Sequence, residues 1–317
     1  MRAARIVSPN KFEIFNEEIP SLSDGKVIVR LLRAAICGSD LPYFSMSHDL
    51  SSYPLPSGYP GHECLGIIEE SMNREFKKGD LVMYYPVFLE GFKECHLTDQ
   101  SRLQKIPCDR DLNILLMTQL LGAVSHCVFR IDPPYNKDVV IMGLGPVGLL
   151  FTSLVRNLGA RNIIVVDPID FRLDVAKSMG ATHSINPNIH SVIDSVSEIT
   201  NGKMSDIVID AFGQDVDVMN LCFDLACHNG QVAFFGICLE GSPRLNFSTF
   251  FRKELRMISS VGPDLSIDYP FALNMILENS IDVSPLITHV IPFEEIQRGF
   301  DIATNRHDDV IKIVLKF

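Results

Sequence analysis

The stretch VVIMGLGPVGLLFTSLVRNLGARNIIVVD (139–167) decides the fold of this chain. An apolar strand leads into the glycine motif GLGPVG (143–148), a helix-forming run follows, and a second apolar strand ends at Asp167, 19 residues after the motif. Strand, G-x-G-x-x-G, helix and acid in this order are typical of a unit that binds a dinucleotide. An ordinary glycine-rich turn with an Asp that caps the next helix is the alternative, but it does not explain why all four features occur together.

Each glycine of the motif has a predicted task at the dinucleotide. Gly143 allows the tight turn, Gly145 lets the backbone approach the pyrophosphate at the helix N-terminus, and Gly148 lets helix and strand pack closely. Pro146 and Val147 lie between them, at the start of the helix. We expect this whole segment to bind the cofactor.

The acid after the second strand predicts which dinucleotide is bound. Asp167 would accept hydrogen bonds from the ribose hydroxyls and would repel a 2′-phosphate, which favours NAD over NADP. Arg172, five residues further on, would orient Asp167 or line the adenosine pocket. The equal alternative is that Arg172 is a solvated residue on the surface of the helix. An arginine close to this acid can also bind a 2′-phosphate.

Outward from this stretch, strands and helices alternate. NIIVVD (162–167), DIVIDAFG (206–213) and QVAFFGI (231–237) read as strands, and a helix is predicted over 216–230. Such alternation predicts a doubly wound parallel sheet. The first third instead has short alternating segments with turn residues between them, as in an antiparallel β domain. We therefore predict an α/β protein with domains at 1–120 and 121–262, and a tail, 263–317, that rejoins the first domain.

Composition excludes several classes of protein. The 317 residues are 46% hydrophobic and 21% charged, so the chain can bury a large core. The formal net charge of −11 argues against a nucleic-acid partner. The longest apolar runs fall far short of the roughly 20 residues of a membrane span, and the N-terminus lacks a signal-peptide pattern. Eight cysteines without a C-x-x-C pair fit a reducing compartment, and we expect a cytoplasmic protein.

Two short segments of the first domain carry side chains that ligate metals. Cys37-Gly38-Ser39-Asp40 follows an apolar strand, and Pro60-Gly61-His62-Glu63 begins another. Thiolate, imidazole and carboxylate from adjacent loops can converge on a zinc ion that keeps one open coordination position. A core cysteine beside a hydrogen-bonded loop histidine is the alternative reading of the same residues.

With these motifs the sequence resembles the zinc-dependent medium-chain alcohol and polyol dehydrogenases, close to the sorbitol dehydrogenase branch. The resemblance spans almost the whole chain and includes ICGSDLPYF, GYPGHECLGIIEE, KKGDLV, the glycine motif with Asp167, DAFG and IDVSPLITHVIPFEEIQRGFDIA. It implies a GroES-like β-rich catalytic domain beside a Rossmann domain. It also implies that zinc lowers the pKa of a bound alcohol, whose alkoxide then delivers hydride to the nicotinamide.

The resemblance assigns tasks to the residues of the two segments. Cys37 and His62 match zinc ligands, and Glu63 matches a glutamate that binds zinc directly in some members and stands behind the ligands in others. Asp40 matches the carboxylate that orients the ligating histidine. Ser39 matches the hydroxyl that takes the proton from the substrate alcohol.

Three departures from the family pattern bear on the chemistry. A further zinc ligand, Cys or Glu in relatives, aligns with Gln119, whose neutral amide is a poorer ligand. The lobe that carries a structural zinc in many relatives is absent, which leaves Cys95 as the only thiol near the gap and predicts one catalytic zinc alone. The relay histidine of relatives is Pro42, so the proton would leave Ser39 through water, cofactor ribose or another group such as His48.

Further positions follow from the same resemblance. Gly236 aligns with backbone that lines the nicotinamide, and Lys312 with a basic residue that reaches the cofactor phosphates. A lysine of the terminal strand that is merely solvated is an equal alternative for Lys312. Tyr43 and Phe44 would face the substrate cleft, although packing explains them equally well. Relatives are dimers or tetramers, often through an edge strand of the cofactor sheet. QVAFFGICL is apolar enough to be that edge, so we expect a homodimer or homotetramer.

Three functions remain open at this stage. The first is an NAD-dependent zinc dehydrogenase that oxidises a secondary alcohol of a polyol, sugar or cyclitol to a ketone, or catalyses the reverse reaction. The second is a zinc-free reductase of the quinone or enoyl type, for which Gln119 is the best support. The third is a non-catalytic protein that binds NAD.

Overall fold

The computed structural model describes residues 1–46, 50–107, 109–213, 215–236 and 243–317. These residues form two compact units. Unit 1 comprises Met1–Leu120, Leu265–Leu273 and Val283–Phe317, and unit 2 comprises Leu121–Asp264 and Asn274–Asp282. The tail predicted to rejoin the first domain is thus divided, because residues 274–282 belong to unit 2.

The strands in chain order are β1 (Arg2–Ser8), β2 (Lys11–Asn16), β3 (Val27–Ile36), β4 (Glu63–Ser71), β5 (Leu81–Tyr84), β6 (Cys95–Thr98), β7 (Leu103–Lys105), β8 (Asp138–Met142), β9 (Asn162–Val166), β10 (His183–Ile185), β11 (Ser205–Asp210), β12 (Ala226–Phe234), β13 (Arg256–Ser259), β14 (Ile287–Pro292) and β15 (Lys312–Lys316). The helices are α1 (Leu41–Ser45), α2 (Leu112–Val128), α3 (Pro146–Asn157), α4 (Asp170–Ser178), α5 (Val192–Ile199), α6 (Val216–Leu225), α7 (Phe247–Arg252), α8 (Asp268–Leu277) and α9 (Ile296–Asn305).

Unit 1 is built on a sheet with the strand order β14-β15-β3-β4-β5-β7, in which β6 also pairs with β3. Strand β3 is the centre of this sheet, and its neighbours β4 and β15 both run antiparallel to it. Ala35 lies opposite Glu63, and Ile313 lies opposite Ile36. The register therefore brings the start of β4 and the start of β15 to the end of β3, directly before Cys37.

The core of unit 1 contains a cluster of aromatic side chains. Phe12 stacks on Phe44 with ring centroids 5.3 Å apart, and Phe300 lies 4.7 Å from Phe12. Buried aromatic rings of this kind contribute large apolar areas and fix the relative positions of the elements that carry them. Helices α1 and α9 are thereby anchored to the hairpin of β1 and β2.

Unit 2 is built on a parallel sheet with the order β10-β9-β8-β11-β12-β13, covered by helices. Strand β8 is buried along its whole length, as a continuous apolar run predicts. The strand order reverses between β8 and β11, and in such sheets ligands bind at the carboxyl ends of the strands where the order reverses. The glycine motif follows β8 at this point.

Two predictions about unit 2 are wrong. The predicted helix over 216–230 ends at Leu225, because the ACHNG segment that follows extends into β12. QVAFFGICL does not form the sheet edge, because β12 lies between β11 and β13, and β13 occupies the edge. The last residues of that segment, 237–239, lie outside the described residues.

Within the described part of the chain, no helix combines the length and the apolar character that crossing a lipid bilayer requires.

Candidate metal and cofactor sites

Strand β3 leads directly into a tight turn, and Cys37 lies at the start of that turn. Its backbone N–H donates to Asp40 Oδ2 at 2.9 Å, and the Asp40 N–H donates to the Cys37 carbonyl at 3.0 Å. These two bonds fix the turn and place Asp40, which is buried, behind the thiol. Ser39 lies inside the same turn and is partly exposed.

His62 and Glu63 reach the same place from the start of β4. One sulfur, nitrogen or carboxylate oxygen from each of Cys37, His62 and Glu63 lies within 4.8 Å of the corresponding atoms of the other two. His62 Nδ1 lies 3.1 Å from Asp40 Oδ1, which leaves Nε2 to face an ion. The predicted ligands are therefore brought together, and Asp40 contacts the histidine through its other ring nitrogen.

The charged groups of this cluster shift the pKa of His62. Burial lowers the pKa of the imidazole, but the neighbouring Asp40 and Cys37 side chains outweigh burial and raise that pKa well above its ordinary value. Burial raises the pKa of Asp40, and the neighbouring His62 opposes that rise. The site thus gathers anionic groups that a divalent cation would stabilise.

Glu63 has a second, cationic partner. Lys312 Nζ donates to Glu63 Oε1 at 2.6 Å, and both side chains are almost fully buried, with exposures of 1% and 0%. Burial lowers the pKa of Lys312, but Glu63 and Cys37 raise it, and the net change is upward. The structure therefore gives this ammonium, at the start of β15, a partner other than the predicted cofactor phosphates.

Among the described residues of unit 1, the buried oxygen atoms without a hydrogen-bond partner include Glu63 Oε2 and Gln119 Oε1. Unpartnered polar atoms inside a protein are costly, and such atoms call for an ion or another donor. Sulfur, imidazole nitrogen and carboxylate oxygen are the donors that zinc takes in proteins. The residues present therefore fit a zinc ion held by Cys37, His62 and Glu63, with Gln119 Oε1 as a further candidate donor.

Tyr269 is a residue of this region that the sequence analysis missed. It is fully buried on α8, and its hydroxyl lacks a partner. Burial raises the pKa of this phenol well above its ordinary value, the charge of Glu63 raises it further, and the Gln119 amide beside it opposes the rise. A tyrosine in the apolar run YPFALNMIL was the available signal, because a buried hydroxyl needs a polar neighbour.

The two aromatic residues that follow the CGSD turn, Tyr43 and Phe44, have different surroundings. Tyr43 packs edge-on against Tyr59, with ring centroids 5.2 Å apart. The expectation that Phe44 faces a substrate cleft is wrong, because its ring is 1% exposed and lies in the core of unit 1. His48, offered as an alternative proton acceptor, lies outside the described residues.

The glycine motif of unit 2 leaves no room for a side chain at Gly148 but leaves open space at Gly145. A Cβ on Gly148 would lie 1.9 Å from the Gly143 carbonyl oxygen, whereas a Cβ on Gly145 would meet nothing within 4 Å. Gly145 precedes α3, whose first residue is Pro146, followed by Val147. The space beside Gly145 is the space that the predicted pyrophosphate would need.

Asp167 is fixed by the backbone on both sides. Its Oδ2 accepts from the Leu144 N–H at 2.7 Å, and its Oδ1 accepts from the Ile169 N–H at 2.9 Å. The carboxylate thus ties the glycine motif to the end of β9. Arg172 lies in the first turn of α4.

Gly236 packs backbone to backbone against a second glycine. A Cβ on Gly236 would lie 2.3 Å from the Gly213 nitrogen, so a larger residue would force apart the loops that follow β11 and β12. These loops lie at the carboxyl ends of the two strands, beside the point where the strand order reverses. Gly236 is thereby held at the edge of the sheet where dinucleotides bind.

Comparisons with known proteins match both units. The alcohol dehydrogenase GroES-like domain matches residues 23–128, and the zinc-binding dehydrogenase domain matches residues 146–278. L-threonine 3-dehydrogenase from Marinomonas sp. (strain MWYL1) is 27% identical over 314 residues, which are 89% of this chain and 90% of that protein.

Solved structures share the fold over the full length. L-idonate 5-dehydrogenase from Escherichia coli K-12 superposes with a TM-score of 0.87 at 21% identity, covering 100% of this chain and 98% of that chain. A dehydrogenase from Escherichia coli CFT073, complexed with NADH, gives a TM-score of 0.87 at 23% identity, covering 100% and 99%. The chain belongs to the zinc-dependent medium-chain dehydrogenase family, and it is an oxidoreductase. The predicted fold class, a GroES-like unit with a Rossmann unit, is confirmed.

Proposed function

We propose that this protein is an NAD-dependent zinc dehydrogenase that interconverts a secondary alcohol, in a polyol, sugar or cyclitol, and the matching ketone. The observation that carries this proposal is the meeting of Cys37, His62 and Glu63 at the end of β3, with Glu63 Oε2 buried and unpartnered. A zinc-free reductase has no use for these residues as a set.

Several side chains of unit 1 would each have a separate role at the substrate oxygen. A zinc ion, when bound, supplies positive charge that makes a substrate alcohol more acidic, and the nicotinamide accepts the hydride. Asp40 holds the His62 ring so that Nε2 faces the ion. Ser39, partly exposed in the turn, is the hydroxyl that takes the alcohol proton and passes it to solvent, because Pro42 offers no relay. Lys312 holds Glu63 in place through Oε1.

We propose NAD as the cofactor because Asp167 is locked in place. Two backbone N–H groups hold its carboxylate, so the side chain cannot swing away from a 2′-phosphate, and an immobile negative charge there disfavours NADP. Gly143, Gly145 and Gly148 would receive the pyrophosphate, with Gly236 beside the nicotinamide.

We also propose one zinc ion per chain, a cytoplasmic location and a homo-oligomer. The described residues hold one group of potential metal-ligating side chains, at Cys37. The free edge strand β13 and its surroundings expose large apolar side chains, at Phe251, Met257 and Val261, and a second copy of the chain would cover them. No nucleic acid or membrane partner is proposed.

Metal content and turnover together test this function. Zinc per chain is measured by plasma mass spectrometry on protein purified without chelator, beside Cys37→Ser, and a panel of polyols and secondary alcohols is then followed by NADH absorbance with NAD and with NADP. We expect about one zinc that Cys37→Ser loses, and metal-dependent turnover that prefers NAD. Turnover with quinones or enoyl substrates without zinc would support the zinc-free reductase, and NAD binding without turnover would support the non-catalytic protein.

A further inference from the structure

Asp210 holds the loop that follows β11 at the carboxyl end of the unit 2 sheet. It is the last residue of β11, lies opposite Met142 of β8 and Phe234 of β12, and is 0% exposed. Its carboxylate Oδ1 accepts hydrogen bonds from the N–H groups of Phe212 and Gly213, both at 2.9 Å. One buried side chain therefore fixes the backbone of this loop.

The backbone carbonyl of the same residue holds the loop that follows β12. It accepts from the N–H groups of Phe235 and Gly236, both at 3.0 Å. Gly213 and Gly236 pack directly on each other, because a Cβ on Gly213 would lie 2.1 Å from the Gly236 carbonyl carbon. The two loops thus form one backbone surface, and Asp210 connects its two parts.

This surface lies on the far side of the glycine motif from Asp167. A dinucleotide lies across the carboxyl edge of such a sheet, with its pyrophosphate at the motif. Asp167, after β9, marks the adenosine side, and β11 and β12 lie on the other side of β8. Phe212 reaches the motif itself, since a Cβ on Gly143 would lie 3.2 Å from Phe212 Cβ. The nicotinamide half of the cofactor therefore has to extend over the two loops.

We propose that Asp210 is a positioning residue for the nicotinamide half of the cofactor: it holds Gly213 and Gly236 together before the cofactor binds, so that their backbone is already in place. Loops that are ordered in advance raise the affinity, because binding does not then have to order them. This inference rests on the proposed NAD site. It gives a role to the first residue of DAFG (210–213), which neither the glycine motif nor the metal ligands explain.

The state of the Asp210 side chain indicates which of its properties is needed. Burial raises the pKa of this carboxyl, and the N–H groups of Gly213 and Phe212 oppose the rise. Oδ2 is buried and has no hydrogen-bond partner among the described residues. The side chain therefore acts as an acceptor through Oδ1, and asparagine, which keeps one acceptor oxygen, should replace it.

Two ligands that differ only by the nicotinamide test this role. ADP-ribose contains the adenosine, the pyrophosphate and the second ribose of NADH but lacks the nicotinamide, and the dissociation constant of each ligand is measured by isothermal titration calorimetry. We expect Asp210→Ala to weaken NADH binding by about tenfold and ADP-ribose binding by less than about twofold, because two N–H groups lose their acceptor and the loop is no longer ordered in advance. Asp210→Asn should bind NADH within about threefold of the wild type.

Controls separate positioning from folding. Asp138 is also buried in this sheet, but it lies at the start of β8, at the opposite end of the strands, where it pairs with Arg161. Asp138→Ala should destabilise the protein and leave the ratio of the two dissociation constants at its wild-type value. Gly236→Ala forces the loops apart while Asp210 stays, so it should weaken NADH binding and spare ADP-ribose. This variant keeps the proposal testable if Asp210→Ala does not fold.

The outcomes are distinguishable. Equal losses for NADH and ADP-ribose in Asp210→Ala or in Gly236→Ala would overturn the proposal, because the loops would then serve the fold or the whole cofactor alike. An Asp210→Asn variant as weak as Asp210→Ala, or an NADH affinity that Asp210→Ala leaves unchanged, would also overturn it. A wild-type chain that binds neither NADH nor ADP-ribose would overturn the NAD site itself, and with it the proposed function.

Discussion

Replacing Lys312 by methionine should destabilise the protein strongly when no metal is bound. Lys312 and Glu63 form an ion pair at 2.6 Å with both side chains buried. At an effective dielectric constant of about 20, two unit charges at this separation attract by about 6 kcal/mol, which offsets a desolvation cost of several kcal/mol for each ion. Removing one partner leaves the other charge buried alone, and we expect a loss of about 3–5 kcal/mol in the free energy of unfolding.

The assay is urea unfolding followed by far-ultraviolet circular dichroism, because the chain contains no tryptophan to report by fluorescence. Chelator-treated protein is compared with zinc-loaded protein at neutral pH. Zinc would give Glu63 another positive partner, so the loss from Lys312→Met should be smaller in the loaded protein. Lys312→Met with Glu63→Gln removes both charges and should regain most of the stability that the single change loses.

Two results would refute this reasoning. A loss below about 1 kcal/mol in chelator-treated Lys312→Met would show that Glu63 does not depend on the ammonium. A double variant no more stable than the single one would show that the loss arises from packing around the lysine stem, because removing the orphaned charge would then have changed nothing.

Two further predictions concern the fold and the cofactor site. Burial lowers the pKa of His96 from 6.5 to about 3, so the unfolded chain binds a proton there before the folded chain does, and stability is lost as the pH falls from about 6.5 toward 3. This amounts to about 2 kcal/mol at pH 5; His96→Gln should remove that part of the stability difference between pH 7 and pH 5 in urea unfolding, and an unchanged difference would contradict the assignment. Gly148→Ala should lower the melting temperature and abolish NAD binding, because its Cβ would collide with the Gly143 carbonyl. Gly145→Ala should keep the wild-type melting temperature and lose NAD affinity alone, measured by calorimetry; equal melting temperatures for the two variants would contradict the packing argument.

Local patterns allowed much of the fold to be predicted from the sequence. The glycine motif, the strands around it and Asp167 are close in the chain, and each carries its own periodic or conformational signal. The order of strands in a sheet carries no such signal. QVAFFGICL is more apolar than the segment RMIS of β13, yet β13 forms the edge of the sheet. The edge position depends on which strands pair with each other over the whole sheet and not on the apolar content of one strand.

The candidate metal site shows the same division between local and long-range information. Cys37 and Asp40 lie in one turn, so their relation was visible in CGSD. The partner of Glu63 was not visible, because Lys312 is 249 residues away and reaches it only through the antiparallel pairing of β15 and β4 with β3. Phe44 was misplaced for a related reason: a helix of five residues presents its side chains in several directions, and only the packed structure shows that this ring faces Phe12 and not a cleft. Two short motifs thus define the ligand set, but the buried cation that pairs with Glu63 comes from the far end of the chain, and metal affinity at this site depends on that long-range partner as well as on the motifs.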